Sequence, residues 1–195
     1  DILEAQEYPD VRWPSADAAF DRPYDVTAWS LGMLMGVETI RVERPFDARL
    51  TALTDTVGRP RGGVRGDVAT GSYLLPSAST QSVVAINRLL AAGATLAWTR
   101  DAFELAIGSP GASQRVEPGT VIVEDVHPDL VTTIARDLGL EFYAAVPPDP
   151  IAILPIQRPR LGVVEPWGGN RDAGWTRWVL EQHEFPYQRL RNADL

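Results

Sequence analysis

The stretch Val68–Trp98, VATGSYLLPSASTQSVVAINRLLAAGATLAW, decides how the rest of the chain is read. VATGSYLLP has the apolar density of a strand and stops at Pro76. STQSVVAINRLLAAG then puts Val83, Ile86 and Leu90 on one helical stripe. A Ser79 or Thr80 hydroxyl suits the N-cap of that helix, and Gly93 suits the left-handed residue after its last turn. ATLAW resumes as a strand. Strand, helix, glycine, strand is the pattern of a βαβ unit.

The same order recurs downstream. FELAIGSPGASQRVEPGTVIVE reads as a hairpin-like segment with turns at SPG and EPG. HPDLVTTIARDLG is a helix with Leu130, Ile134 and Leu138 on one face, Pro128 near its start and Gly139 at its end. LEFYAAV is a further strand. PPDPIAILPIQRP has five prolines and reads as a linker. Beyond it come the strand LGVVE, a helix from Asn170 to about Glu184 with the stripe Trp175, Trp178, Val179 and Gln182, and the strand YQRL. Repeated βαβ order predicts an α/β fold, a mainly parallel sheet flanked by helices, incomplete at its C-terminus.

Upstream, residues 1–25 are rich in Pro, Asp and aromatics and read as an irregular arm. VTAWSLGMLMGV (Val26–Val37) reads as a buried helix ending near Gly36, and ETIRVERPF alternates like a half-solvated strand. Thr56–Asp67, with four glycines and three arginines, reads as an exposed loop whose RGD triplet is a chance tripeptide. The organisation expected is an arm (1–25), an α/β region (26–146), a Pro-rich linker (147–160) and a strand-helix-strand segment (161–195) that begins a further α/β unit or completes the same sheet.

Composition excludes several classes of function. Twenty-six acidic against 18 basic residues leave a net charge of −8 over 195 residues, a field that repels a phosphate backbone. No nucleic-acid partner is therefore expected, and no apolar run reaches the ~20 residues of a membrane span. Without cysteine there is no disulfide, thiolate nucleophile or cysteine zinc site. His127 and His183 are the two histidines, far apart in sequence and each near a helix end, where a structural role explains them. Glu124 and Asp125 are adjacent and point apart in a strand, and LPSAST suits helix capping better than an activated serine. The residues show no catalytic set by themselves, and no cofactor is expected in this chain.

The loop after LGVVE is the one segment laid out like a ligand site. Gly169 and Gly174 have P-loop spacing, but Trp175 stands where the phosphate-binding lysine belongs, although Thr176 follows it. The dinucleotide fingerprint also fails, because Asn170 and Ala173 follow Gly168 where glycines are required. Gly168 and Gly169 read more simply as a tight turn and Asn170 as a helix cap. The loop nevertheless follows a strand's C-terminal end, where open α/β sheets bind ligands, so Glu165, Trp167, Asn170 and Arg171 are the candidate ligand-binding residues. Trp29, Trp175 and Trp178 are expected in the core, whereas Trp13 and Trp167, in loops, suit an interface.

Three phrases, RPYDVTAWSLGMLMGVETI, INRLLAAGATLAW and LGVVEPWGGNRDAGWTRWVLEQHEFPY, resemble the region downstream of the catalytic domain in large bacterial M14-type zinc carboxypeptidase-like proteins. The likeness runs from about Tyr24 to Leu195 and is strongest in GWTRWVLEQ and EFPY. It implies a flavodoxin-like or class I amidotransferase-like fold and a periplasmic or secreted parent protein. The parent would be a metallocarboxypeptidase, a hydrolase whose zinc lies in an upstream peptidase domain that is this region's partner. None of the family's zinc or catalytic positions maps onto this chain. The implied function is a non-catalytic accessory domain that packs against the peptidase domain or binds substrate or partner. The alternative is a small-ligand-binding or degenerate glutamine amidotransferase-like module, and a third reading is an enzyme completed by dimerisation.

Overall fold

The structure is a computed structural model and describes residues 12, 15–19, 32, 37–49, 51, 60–106 and 113–194. The chain divides into two compact units, Asp1–Asp55 and Thr56–Leu195. In the first, residues 37–49 carry no regular secondary structure, so ETIRVERPF is not a strand. Among the described residues its alternation has no ladder partner to make it one. The helix expected over Val26–Val37 lies outside the described residues except for Gly32 and Val37, as do Trp13 and Trp29.

The second unit holds ten strands and three helices among its described residues. In chain order they are β1 (Gly63–Gly66), β2 (Tyr73–Leu75), α1 (Thr80–Ala91), β3 (Thr95–Thr99), β4 (Phe103–Ala106), β5 (Ser113–Val116) and β6 (Val121–Glu124). Then follow α2 (Pro128–Leu138), β7 (Glu141–Ala144), β8 (Ile153–Ile156), β9 (Leu161–Val164), α3 (Arg171–Gln182) and β10 (Tyr187–Leu190). Six strands form one sheet in the order β1-β7-β2-β6-β3-β8.

The main sheet is mostly antiparallel, which overturns the expected mainly parallel sheet. Only β1 and β7 pair in parallel; the pairs β7–β2, β2–β6, β6–β3 and β3–β8 are all antiparallel. The local units do follow the order that the sequence pattern predicts, since β2-α1-β3 and β6-α2-β7 are both strand-helix-strand. Each is split, however, by a strand of the other: β6 lies between β2 and β3, and β2 lies between β6 and β7. This interleaving is the β-α-β-β-α-β connectivity of the ferredoxin-like arrangement. Parallel strands of one unit become next-nearest neighbours, and every direct contact between the units is antiparallel. The fold is therefore neither flavodoxin-like nor amidotransferase-like in its main sheet.

Both helices cover one face. Tyr73, Leu75, Leu96, Val121, Val123, Phe142 and Ala144 point to that side and meet Ala85 and Leu89 of α1 and Val131, Ile134 and Leu138 of α2. Alternate residues Leu74, Ile122 and Tyr143 face the other way, where the β4–β5 hairpin lays Leu105 and Val116 over them. The period-2 alternation along β2, β6 and β7 thus supplies two cores, one under helices and one under a hairpin.

Local chemistry fixes the helix ends. Ser79 Oγ accepts the Gln81 N–H at 3.2 Å, and Asn170 Oδ1 accepts the Asp172 N–H at 2.8 Å. Gly139 ends α2 with φ of 69°. The Pro-rich segment read as a linker contains β8, which pairs with β3 at the sheet's edge, the position where Pro155 is tolerated.

The β9-α3-β10 segment stands apart from the six-stranded sheet as a two-stranded parallel pair. It is latched to α1, since Asn87 Nδ2 donates to the His183 carbonyl at 2.7 Å and Arg88 pairs both carboxylate oxygens of Glu184. That latch explains why α1 is buried beyond its core stripe, with Asn87 only 7% exposed.

Candidate functional site

β9 and β10 run in the same direction in the register Leu161↔Tyr187 to Val164↔Leu190, and the Glu165 N–H continues the ladder onto the Leu190 carbonyl at 2.8 Å. Their C-terminal ends therefore open side by side. Pleating puts Leu161, Val163 and Glu165 on one face of β9 and Tyr187 and Arg189 on the same face of β10. α3 lies over that face through Ala173 and Arg177, which ties its side chains to the Glu165 carboxylate.

Glu165 is the centre of an ion cluster. Arg189 Nε donates to Oε2 at 3.0 Å, a second Arg189 nitrogen reaches the same oxygen, and Arg177 lies 3.5 Å from Oε1. The Arg189 hydrogen bond above all, then the charges of Arg189, Arg177 and Arg191, hold the Glu165 carboxyl below the usual glutamate range against a smaller opposing effect of desolvation. Glu184 is likewise held low, first by its hydrogen bond from Arg88. A carboxyl with a lower pKa folded than unfolded stabilises the fold above its unfolded pKa, and that gain disappears as pH falls through the folded value. Stability should therefore drop on acidification below about pH 5. The double variant Glu165→Gln, Glu184→Gln should show a flatter slope between about pH 5 and pH 3. Urea midpoints measured across that range test this, and parallel wild-type and variant curves would refute it.

Around this cluster the ends of the two strands and the following loops enclose a cavity of about 700 Å³. Glu165, Trp167, Gly168 and Gly169 line it from the β9 side, and Arg189, Arg191 and Asn192 from the β10 side. That volume is in the range of small-molecule sites. Gly168 and Gly169 have φ of 100° and 81°, a conformation that excludes a side chain on strain alone. A Cβ at either would meet nothing within 4 Å. The glycines thus serve the turn through their positive φ and not through close packing against another part of the chain.

The structure brings together two of the four expected residues. Glu165 and Trp167 line the cavity, and Trp167 is 92% exposed. Asn170 is engaged in capping α3, and Arg171 is exposed but does not line the cavity. Arg177, Arg189 and Arg191 were missed. The alternation of arginines in YQRLR was visible, but which end of β9 they face depends on the parallel register.

No family model, curated protein or solved structure matches this chain.

The other candidate groups form no site. His127 caps α2, with Nδ1 accepting the Asp129 N–H at 3.3 Å. His183 Nδ1 lies 3.0 Å from the Val179 carbonyl. Asp125 accepts the Thr95 hydroxyl at 2.6 Å. Among the described residues no three His, Asp or Glu side chains are placed to hold a metal ion, and no helix is long and apolar enough to cross a membrane.

One expectation about the tryptophans is reversed. Trp175 and Trp178 are 66% and 53% exposed, with Val179 47% exposed beside them. α3 turns Ala173, Arg177 and Leu180 inward, so the stripe read as core faces out. The two indoles meet edge to face with centroids 5.9 Å apart.

Proposed function

We propose that this chain is a non-catalytic accessory domain of a zinc carboxypeptidase-like protein, working by docking its β9-α3-β10 segment against another folded domain of that protein. The outward stripe Trp175, Trp178 and Val179 carries this reading. Large aromatics cost several tens of Å² of apolar exposure each and cluster at interface cores. The bare second face of the β9–β10 pair points the same way, with Val164 46% exposed, because parallel sheets are stable when both faces are covered. The likeness of GWTRWVLEQ and EFPY to the accessory region of M14-type proteins supplies the partner: the upstream, zinc-holding peptidase domain.

Oxidative footprinting tests it. Trp175 and Trp178 should be modified readily in the isolated chain and protected about tenfold when the chain is joined to the peptidase domain. Equal modification in both would end the docking reading. Release of C-terminal residues from peptides by the isolated chain, blocked by a chelator, would end the non-catalytic one.

A second reading, a small-ligand-binding module, is favoured by one observation: the cavity at the C-terminal ends of β9 and β10, walled by Glu165, Trp167 and Arg191.

A further inference from the structure

We infer that the cavity at the ends of β9 and β10 takes a small organic anion, a carboxylate or a phosphate ester bearing a planar group. Arg191 would pair the anion and Trp167 would lie against the plane. This rests on the small-ligand reading and names the chemistry of its ligand.

The charges at the site are unequal. Of the charged residues that line the cavity, Arg189 and Arg191 stand against a single carboxylate, Glu165, in a chain whose net charge is −8. The arginines are also committed differently. Arg177 and Arg189 are spent on the two oxygens of Glu165. The Arg191 side chain has no hydrogen bond or ion pair among the described residues, and it lines the cavity. Its backbone is fixed all the same, because the Arg191 N–H donates to Asp194 Oδ2 at 2.7 Å and closes the short turn Asn192–Asp194. A guanidinium on an anchored backbone, next to a carboxylate already neutralised, offers its planar fork to an incoming anion.

Trp167 supplies the other half. It projects from a turn closed by the Gly169 N–H on the Pro166 carbonyl at 3.1 Å, and it stays 92% exposed at the rim. An indole held in solvent beside a cavity is a stacking surface for a planar group. The N-terminus of α3 contributes nothing to the argument, since Asn170 and Asp172 already occupy it. The cavity of about 350 Å³ beside β5 offers no such uncommitted group from Gln114 or Tyr143, since Gln114 donates to Tyr143 and Tyr143 donates to Glu141.

The test is a titration of the full chain with benzoate, phenyl phosphate and the neutral benzamide at one ionic strength, followed by calorimetry. At least one of the two anions should bind saturably, and the tighter one identifies the headgroup. Benzamide should bind about tenfold or more weakly. Arg191→Met should weaken the anion about tenfold, and Trp167→Ala about fivefold. Arg171→Ala, outside the cavity, should change affinity less than about twofold. Benzamide binding as tightly as the anions would overturn the inference while leaving a small-ligand site. An Arg191→Met variant binding like wild type would also overturn it. Failure of all three compounds to bind would remove the small-ligand reading itself.

Discussion

Replacing Phe142 with alanine should lower the unfolding free energy by about 3–5 kcal/mol, the range for truncating a fully buried phenylalanine. Phe142 is 0% exposed, sits on β7 between β1 and β2, and is part of the core that both α1 and α2 cover. Its neighbours Tyr73, Leu75, Val131 and Ile134 are each at most 1% exposed and come from strands and helices that hold one another in place. They have little freedom to collapse into the space left behind, so the cavity term adds to the lost transfer energy. For a chain of this size the loss corresponds to a melting midpoint lowered by about 10 °C. Urea unfolding should show a lower midpoint with an unchanged slope. A loss below about 1 kcal/mol would mean that β7 is not central to the core.

The second large effect concerns a residue with no side chain. Gly62→Ala should cost about 3 kcal/mol, at the upper end for forced overpacking. A Cβ there would lie 1.8 Å from the Ala135 carbonyl oxygen and 2.6 Å from the Leu140 N–H nitrogen. Both are backbone atoms at the C-terminal end of α2, so neither can swing aside as a side-chain tip would. Relief requires moving the start of β1 away from β7, at the cost of the Gly63 N–H to Leu140 carbonyl bond of 2.9 Å and the parallel register beyond it. Gly63→Ala is the natural comparison, because a Cβ at Gly63 meets nothing within 4 Å. It should change stability by less than about 0.5 kcal/mol. Equal midpoints for the two variants would contradict the close approach at Gly62.

The candidate site was half legible. Glu165 and Trp167 follow from one local rule, that a strand ending in a Gly-rich turn before a helix presents its next residues at the sheet's C-terminal edge. Asn170 was read correctly as a cap, and capping is what uses its side chain. Arg171 is adjacent in sequence but projects from the exposed first turn of α3, away from the cavity lining. The arginines missed come from α3, where Arg177 pairs with Glu165, and from β10 and the residue just after it, where Arg189 and Arg191 line the cavity. Their meeting depends on the rotation of α3 and the pairing of β10 with β9, which no short window contains.

Helix rotation also explains the reversal at Trp175 and Trp178. Periodicity shows that a helix has an apolar stripe, but it does not say what will face that stripe. In α1 and α2 the apolar stripe meets the sheet. In α3 the sheet is only two strands wide, and the ion cluster of Glu165, Arg177 and Arg189 turns the polar side inward.

The sequence by itself determined most of the local elements. The places of α1, α2 and α3, their caps at Ser79 and Asn170, and the turns at Gly93 and Gly139 follow from apolar spacing, side-chain hydroxyls and amides, and the freedom of glycine at positive φ. By contrast, β1 in the stretch read as an exposed loop and β8 in the stretch read as a linker are edge strands that only pairing with β7 and β3 creates. Tertiary structure alone decided which strands became neighbours. βαβ order is equally compatible with adjacent parallel strands and with strands split by an inserted partner, because the connecting helix fixes only the direction of its two strands. Here β2 and β6 each slot into the other unit's gap, where their alternating faces bury the helix-side residues Tyr73 and Val123 and the hairpin-side residues Leu74 and Ile122 in one antiparallel pair.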